Sequence, residues 1–283
     1  MQTFIPSHRF LPYLTWQEVE SLTDKEKVVI LQPVGAIEQH GPHLPLIVDA
    51  AIVTGVIGHV LNALAPEIPA YALPTLCYGK SNEHWHFPGT ITLTAITLLQ
   101  TLMEVGESLY RAGFRKIVFI NGHGGQPQVV EIAARDLRQR FADLQVFPHF
   151  IWNALPAEAF TPWLNPQEAQ AGIHAGDAET SLMLALLPDT VKIERAVAEY
   201  PPALTPYPHL SWEGACPITW MTRDLSQTGT IGDPTTASAE KGEQMLNALS
   251  AAWQQIITEI YAFEFPDSRG GKGAETPEQK RLG

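Results

Sequence analysis

The chain has 283 residues, a hydrophobic content of 45% and a formal net charge of −12. This length is enough to bury a sizeable core in one large domain or two small ones. The excess of acidic residues argues against a nucleic-acid-binding surface and against docking on anionic lipid.

The cysteines and the N-terminal residues indicate a cellular location. Cys77 and Cys216 are far apart and form no CxxC pair, which favours reduced thiols over a disulfide framework. The first twenty residues lack a basic segment followed by an apolar one, so we expect no signal peptide. No apolar run approaches the ~20 residues of a membrane span. We therefore expect a cytoplasmic protein.

The order of apolar patterns along the chain predicts an α/β fold with a mostly parallel sheet. Four short, β-branched runs predict buried strands, at residues 27–34, 69–76, 116–120 and 144–151. Five longer stretches predict helices, at residues 50–64, 94–112, 126–141, 177–187 and 236–263. We expect Asp49 to be the N-cap of the first helix and Gly113 to end the second.

The remaining segments differ in composition. Residues 200–234 are rich in proline and aromatic side chains, which predicts an irregular but packed excursion. Residues 266–283 are glycine-rich and charged, which predicts a disordered tail. Residues 1–265 are therefore expected to form a single domain.

The stretch VGAIEQHGPHLPLIVDA, residues 34–50, places metal-competent side chains where the chain leaves the first predicted strand. Glu38 and His40 are two residues apart, so an extended backbone would point both to the same face. Asp49 follows after a Gly-Pro turn, and His43 is the side chain that we leave out of the site. Ligands of open α/β sheets bind beyond the carboxyl ends of the strands, where these residues are expected.

Two further motifs add candidate ligands. The third predicted strand runs into NGHGG, which puts His123 at the same sheet edge, beside glycines that let the backbone approach a ligand. The run HAGDAETS carries His174 and Glu179 near the start of a helix. Each residue alone is most simply a hydrogen-bonded histidine, a helix cap or a solvated acid. Together they predict a site for Zn²⁺, Mn²⁺ or Fe²⁺.

Four blocks in order resemble the signatures of the creatininase family: VGAIEQHGPHLPLIVDA, HFPGTITLT, NGHGG and HAGDAETSLMLAL. The run GTIGDPTTASAEKGEQ, at 229–244, is similar to the C-terminal block of the family. The resemblance is to an NGHGG-type branch rather than to creatininase proper. It implies a three-layer α/β/α sandwich and a metal-dependent hydrolase of C–N bonds that forms homo-oligomers such as hexamers.

The resemblance also implies a dinuclear centre with two divalent ions per chain (Zn, Fe(II) or Mn), bridged by Asp49. Creatininase proper takes its last ligand from a glutamate two residues after the NGH histidine, a position that Gly125 holds here. We expect Glu179 to replace it. One metal would then take Glu38, Asp49 and His123, and the other His40, Asp49 and Glu179.

The implied chemistry is attack of a metal-bound hydroxide on an amide, lactam or formamide carbon. The catalytic residues are expected to be Glu179 and His174, the latter as the general acid for the leaving nitrogen. A structural hydrogen bond to a ligand carboxylate is the alternative for His174. The expected substrate contacts are Ser81, Glu83, His84, Gly124 and Trp152, although the loop that contains the first three could be an ordinary surface loop.

The substrate and the reaction stay open. Gly124, and the small residues 169–172 where creatininase carries a tryptophan, disfavour creatinine itself. A metal-dependent isomerase or ring hydrolase of a keto-sugar or cyclitol is the main alternative, because the same ligands could stabilise an enediolate. A metal-binding scaffold without catalysis is a third hypothesis, against which His174 and Glu179 argue.

Overall fold

The computed structural model describes residues 4–265, so the predicted tail at residues 266–283 lies outside the described part of the chain. Within it, four parallel strands form one sheet with the order β2-β1-β3-β4. The strands are β1 (Val29–Val34), β2 (Ala70–Ala72), β3 (Lys116–Asn121) and β4 (Gln145–Phe150). The second is shorter than expected, because Pro74 follows closely and cannot donate to the ladder.

Eight α-helices lie in the described residues. They are α1 (Trp16–Ser21), α2 (Val48–Ala63), α3 (Ala95–Arg111), α4 (Pro127–Arg140), α5 (Pro166–Ala171), α6 (Asp177–Leu186), α7 (Thr222–Leu225) and α8 (Ala239–Ala262). None of the helices in this part of the chain is long and apolar enough to cross a membrane. The segment 200–234 is largely irregular, as expected, and its one α-helix is the short α7.

The sheet is covered on both faces. Side chains alternate along a strand, so Val29 and Leu31 pack into one apolar cluster with α2, α6 and α8. Ile30 and Val34 point the other way, into a second cluster with α3 and α4. This arrangement confirms the three-layer α/β/α sandwich.

The carboxyl edge of the sheet brings two parts of the chain together. Val34 of β1 pairs with Asn121 of β3, so the residues that follow both strands leave the sheet side by side. Gly35 lies so close to α2 that an added Cβ would be 2.6 Å from the Ala50 Cα, and one on Gly122 would be 2.8 Å from the Asp49 carbonyl oxygen. These two glycines therefore allow the first turn of α2 to reach the strand ends.

The prediction that Asp49 caps α2 was wrong. The helix begins at Val48, its N-cap is Ile47, and no side chain bonds its first free N–H groups. Asp49 is instead the second helical residue, and its carboxylate faces His40 and His123. Its acidic charge still suits the first turn of a helix.

Candidate metal centre

Glu38, Asp49 and His123 meet at the carboxyl edge of the sheet. Nδ1 of His123 lies 3.1 Å from Oε2 of Glu38 and 3.4 Å from Oδ2 of Asp49. Nε2 of the same ring lies 3.0 Å from the Lys80 carbonyl oxygen and 3.0 Å from Oε1 of Glu83. A carbonyl oxygen only accepts, so Nε2 carries a hydrogen. In the neutral ring, Nδ1 then has a free lone pair, as in a histidine that ligates a metal while its other nitrogen is held by an acceptor.

His40, Asp49 and Glu179 form an adjacent cluster. Nδ1 of His40 donates to the Glu38 carbonyl oxygen at 3.2 Å, which leaves Nε2 as the ligand atom. That Nε2 lies 3.4 Å from Oδ1 of Asp49 and 3.9 Å from Oε1 of Glu179. Oε2 of Glu179 accepts from the backbone N–H of Ala175 at 2.6 Å, which fixes the carboxylate.

The two clusters share Asp49. Its Oδ1 faces His40 and its Oδ2 faces His123, so the carboxylate lies between two sets of ligand atoms. Within residues 4–265, three groups of side chains have ligand atoms within 4.8 Å of one another. They are Glu38, Glu83 and His123; His40, Asp49 and Glu179; and Glu38, His40 and His174.

Nε2 of His40 and Oδ2 of Asp49 are buried in this centre without a hydrogen-bond partner. A buried polar atom left unpaired costs about 1–3 kcal/mol, so such atoms call for a ligand. Both are donors of electron pairs, which is the chemistry that a cation requires. The residues present therefore fit divalent metal binding.

Burial and mutual repulsion perturb the acids and bases of this centre. Burial raises the pKa of Glu179 to about 7. The charge of His40 lowers this pKa, and the charge of Asp49 raises it further. Burial alone would lower the pKa of His40, but the charges of Asp49, Glu179 and Glu38 outweigh it and raise the pKa to about 9. Both shifts reflect carboxylates crowded around one imidazole, and a bound cation would neutralise these carboxylates.

His174 lies between two other imidazoles. Its ring centroid is 4.2 Å from that of His40 and 4.2 Å from that of His84. Its Nε2 donates to the Gln39 carbonyl oxygen at 2.7 Å, and its Nδ1 lies 3.8 Å from Oε1 of Glu38. Burial and then the charge of His40 lower the pKa of His174 well below its ordinary value, which favours the neutral ring.

Ser81 is not among the residues that line the cavity next to this centre. Ser81 is fully buried, and its hydroxyl donates to Oε2 of Glu38. This contact positions the Glu38 carboxylate. His84 is also buried, with Nε2 3.4 Å from Oε1 of Glu38.

Glu83, which we expected to contact the substrate, also contacts His123 of the metal centre. It pairs with Lys80 at 3.0 Å as well as with His123. Burial would raise the pKa of Glu83, but the hydrogen bond and charge of His123 lower it to about 2. The carboxylate therefore stays ionised beside His123.

Gln39 is a residue of the centre that sequence reasoning missed. Its side-chain Nε2 donates to Nδ1 of His84 at 2.8 Å and to the Gly229 carbonyl oxygen at 3.1 Å. Its backbone oxygen holds His174. Its position between Glu38 and His40 in the sequence could have indicated this role, because a side-chain amide buried there needs hydrogen-bond partners.

The centre opens into a cavity of about 690 Å³. Glu83, His84, Gly124 and Trp152 line it, together with the carboxylates and with aromatic side chains further out. His43 is not among the lining residues; its Nε2 lies 2.9 Å from the Thr180 hydroxyl.

The family model described as creatininase, creatinine amidohydrolase, matches residues 12–257 of this chain. The chain belongs to the creatininase family. The predicted family is thereby confirmed, and the chain is an enzyme of a hydrolase family whose activity fits the expected hydrolysis of a C–N bond.

Three relatives show the range of the family. Creatinine amidohydrolase of Pseudomonas putida is 35% identical over 274 residues, covering 91% of this chain and 97% of the relative. A mycofactocin precursor peptide peptidase of Mycolicibacterium smegmatis is 34% identical over 220 residues, covering 77% and 79%. A 3-dehydro-scyllo-inosose hydrolase of Thermotoga maritima is 26% identical over 268 residues, covering 90% and 84%. The last two names are consistent with a branch outside creatininase proper.

Solved structures support the fold and metal binding. A structure named as manganese creatininase superposes with a TM-score of 0.73 at 31% identity, covering 89% of this chain and 98% of that chain. A mutant creatininase of Zn–Zn type gives a TM-score of 0.72 at 32% identity, with the same coverage.

Proposed function

We propose that this chain hydrolyses the C–N bond of a small amide, lactam or formamide at two adjacent sites for divalent ions. The observation that carries this proposal is the division of the Asp49 carboxylate between His40 and His123. Zinc, iron(II) and manganese all suit its mixture of imidazole nitrogens and carboxylate oxygens.

The two sites use different residues around the shared carboxylate. Bound divalent ions would lower the pKa of a water molecule and polarise the substrate carbonyl. Glu38, Asp49 and His123 would hold one ion, and His40, Asp49 and Glu179 the other. The hydroxyl of Ser81 orients Glu38, and the Ala175 N–H orients Glu179, so both carboxylates are positioned in advance.

We assign the proton transfer to His174. Its Nε2–H is held by the Gln39 carbonyl oxygen, so the neutral ring has its lone pair on Nδ1, on the side of Glu38. Nδ1 takes a proton from the attacking water and delivers it to the leaving nitrogen. The ring lines the cavity, where a leaving group can reach it.

Metal analysis and a substrate panel test this function. Protein purified without added metal, and protein stripped and reloaded with zinc, manganese or iron(II), would be assayed with lactams, formamides and linear amides. We expect about two ions per chain and metal-dependent turnover of at least one C–N substrate. A protein that cannot be loaded with metal would contradict the proposal.

A second candidate activity rests on the Thermotoga maritima relative, whose name describes hydrolysis of an inosose, a ketone of a cyclitol. The same carboxylates and imidazoles could bind a keto-sugar or cyclitol for isomerisation or ring hydrolysis. Cyclic keto-sugars therefore belong in the same panel. Turnover of a keto-sugar alone would replace the amidohydrolase proposal with this one.

We also propose that residues 1–265 form one catalytic domain of a cytoplasmic homo-oligomer such as a hexamer. Unpaired Cys77 and Cys216 suit a reducing compartment. Trp16, Trp85 and Ile96 are 71%, 68% and 67% exposed, which suits surfaces that are covered on assembly. Sedimentation should give a mass that is a multiple of 31.1 kDa. Limited proteolysis should leave one stable fragment. Cell fractionation should recover the protein with the cytoplasm.

A further inference from the structure

We infer that residues 211–220 form one wall of the cavity. This wall selects amides that carry an aromatic group beyond the scissile bond, provided that the group is uncharged or cationic. This inference rests on the proposed function, because it names the substrate class of the same cavity. The wall belongs to the segment 200–234, to which the sequence assigns no role.

Aromatic carbon surface dominates this side of the cavity. Trp212 and Trp220 line it from one segment, and Trp152 and Phe160 line it from the residues that follow β4. These four rings are only half-buried in the described structure. Half-covered rings that surround a cavity of about 690 Å³ favour a ligand with a flat apolar part.

The indole N–H groups of both tryptophans in the wall already donate hydrogen bonds to carbonyl oxygens of the segment 200–234. Nε1 of Trp212 donates to the Pro202 carbonyl oxygen at 2.9 Å, and Nε1 of Trp220 donates to the Trp212 carbonyl oxygen at 3.0 Å. Trp212 and Trp220 therefore offer carbon surface, rather than their indole N–H groups, to a ligand. Stacking and apolar contact are the interactions that such surfaces make.

The wall is held in place by its own hydrogen bonds. The Ser211 N–H donates to the Cys216 carbonyl oxygen at 3.1 Å, and the Ile218 N–H donates to the Ser211 carbonyl oxygen at 2.9 Å. Just beyond it, the buried hydroxyl of Thr222 donates to the Glu83 carbonyl oxygen at 2.9 Å. The wall is thus tied to the loop that supports His123, which fixes the apolar surface relative to the metal centre.

The charges around the cavity disfavour an anionic substituent. Lys80 is the one lysine or arginine among the described lining residues, and Glu83 neutralises it. Glu213 lies on the wall itself and adds a carboxylate near the place where a substituent would bind. A negatively charged group would meet repulsion without a free basic partner.

A matched series of amides tests this wall: acetamide, phenylacetamide, 4-carboxyphenylacetamide and 4-(aminomethyl)phenylacetamide. Binding to the metal-loaded protein would be measured by calorimetry and hydrolysis by ammonia release. We expect phenylacetamide and its aminomethyl derivative to bind about tenfold more tightly than acetamide, and the carboxylate derivative to lose that advantage. Equal affinities for all four would overturn the inference.

Variants locate the effect. Trp212→Ala and Trp220→Ala should each reduce the preference for phenylacetamide over acetamide severalfold, while Trp212→Phe should retain most of it. Tyr207→Ala is the control, since this ring is 57% exposed in the same segment and does not line the cavity. Circular dichroism and metal content would verify folding. If both alanine variants keep the preference for phenylacetamide, the inference that the wall selects aromatic amides is refuted. If binding depends on Trp212 but no amide is hydrolysed, the inference is supported and the proposed function is contradicted.

Discussion

Nε2 of His40 lies 3.4 Å from Oδ1 of Asp49, although the two residues belong to different elements. His40 follows β1, and Asp49 lies in the first turn of α2. Nε2 of His40 has no hydrogen-bond partner, and neither has the other Asp49 oxygen. A bare imidazole nitrogen facing a buried carboxylate is favourable only with a cation or a proton between them.

Glu179→Gln should remove one of the two ions and leave the other. Among the groups found in residues 4–265, Glu179 belongs only to the one with His40 and Asp49, and an amide is a weaker, uncharged ligand. Elemental analysis should fall from about two ions per chain to about one. Glu240→Gln is the control, because Glu240 is also acidic in a first helical turn but is exposed. Unchanged metal content in Glu179→Gln would exclude Glu179 as a ligand.

Gly125→Ala should disrupt the centre, whereas Gly124→Ala should be tolerated. A Cβ on Gly125 would overlap Oε1 of Glu83 and lie 2.5 Å from Nε2 of His123, so both side chains would have to move. A Cβ on Gly124 meets no heavy atom within 4 Å. We expect at least a tenfold loss of kcat in Gly125→Ala only, together with weaker metal retention. Similar effects in both variants would show that the crowding around Gly125 is unimportant.

Gln39→Met should slow catalysis while metal content is retained. The variant keeps the backbone carbonyl that holds His174 but removes the donor to His84 and to the Gly229 carbonyl oxygen. Leaving those buried acceptors unpaired should lower the free energy of unfolding by about 1–3 kcal/mol. Urea denaturation and kcat would be compared with Gln255→Met, a change at an exposed position. Equal stability of the two variants would contradict the role of Gln39.

Glu199→Gln should destabilise the protein in a way that depends on pH. Partial burial would raise the pKa of Glu199, but hydrogen bonds from Thr228, Gln227 and Ser226 lower it to about 2. Since the unfolded carboxyl binds its proton near 4.5, the stabilisation is fully present above that pH and is lost as pH falls toward 2.

Thermal unfolding from pH 7 to pH 3 checks the Glu199 prediction. Wild type should unfold a few degrees above Glu199→Gln at pH 7, and the gap should narrow below about pH 4.5. Glu67→Gln, at an exposed position, should show no comparable gap. A gap of constant size across the range would contradict the assigned titration.

The sequence predicted the layers of the fold because strands buried on both faces leave a clear apolar pattern. It also placed Glu38, His40 and His123 at one sheet edge, since parallel strands end on the same side. The start of α2 was misjudged, because an aspartate before an apolar run is typical of a cap. Here Asp49 faces His40 and His123, and this tertiary contact overrides the local preference.

Contacts between distant loops could not be predicted in the same way. Glu83 reaches His123 across forty residues, and Thr222 reaches the loop of Glu83 from within the irregular segment. No periodic pattern records such pairs. The burial of Ser81 behind Glu38 likewise depends on how the whole edge closes.

The central claim is that Asp49 is shared by two metal sites, and metal content of Asp49→Asn tests it most directly. Wild type and variant would be loaded with zinc or manganese, freed of excess metal by gel filtration and measured by elemental analysis. We predict about two ions per chain in wild type and almost none in Asp49→Asn, because both sites lose their common charged ligand. Retention of both ions by Asp49→Asn would contradict the account.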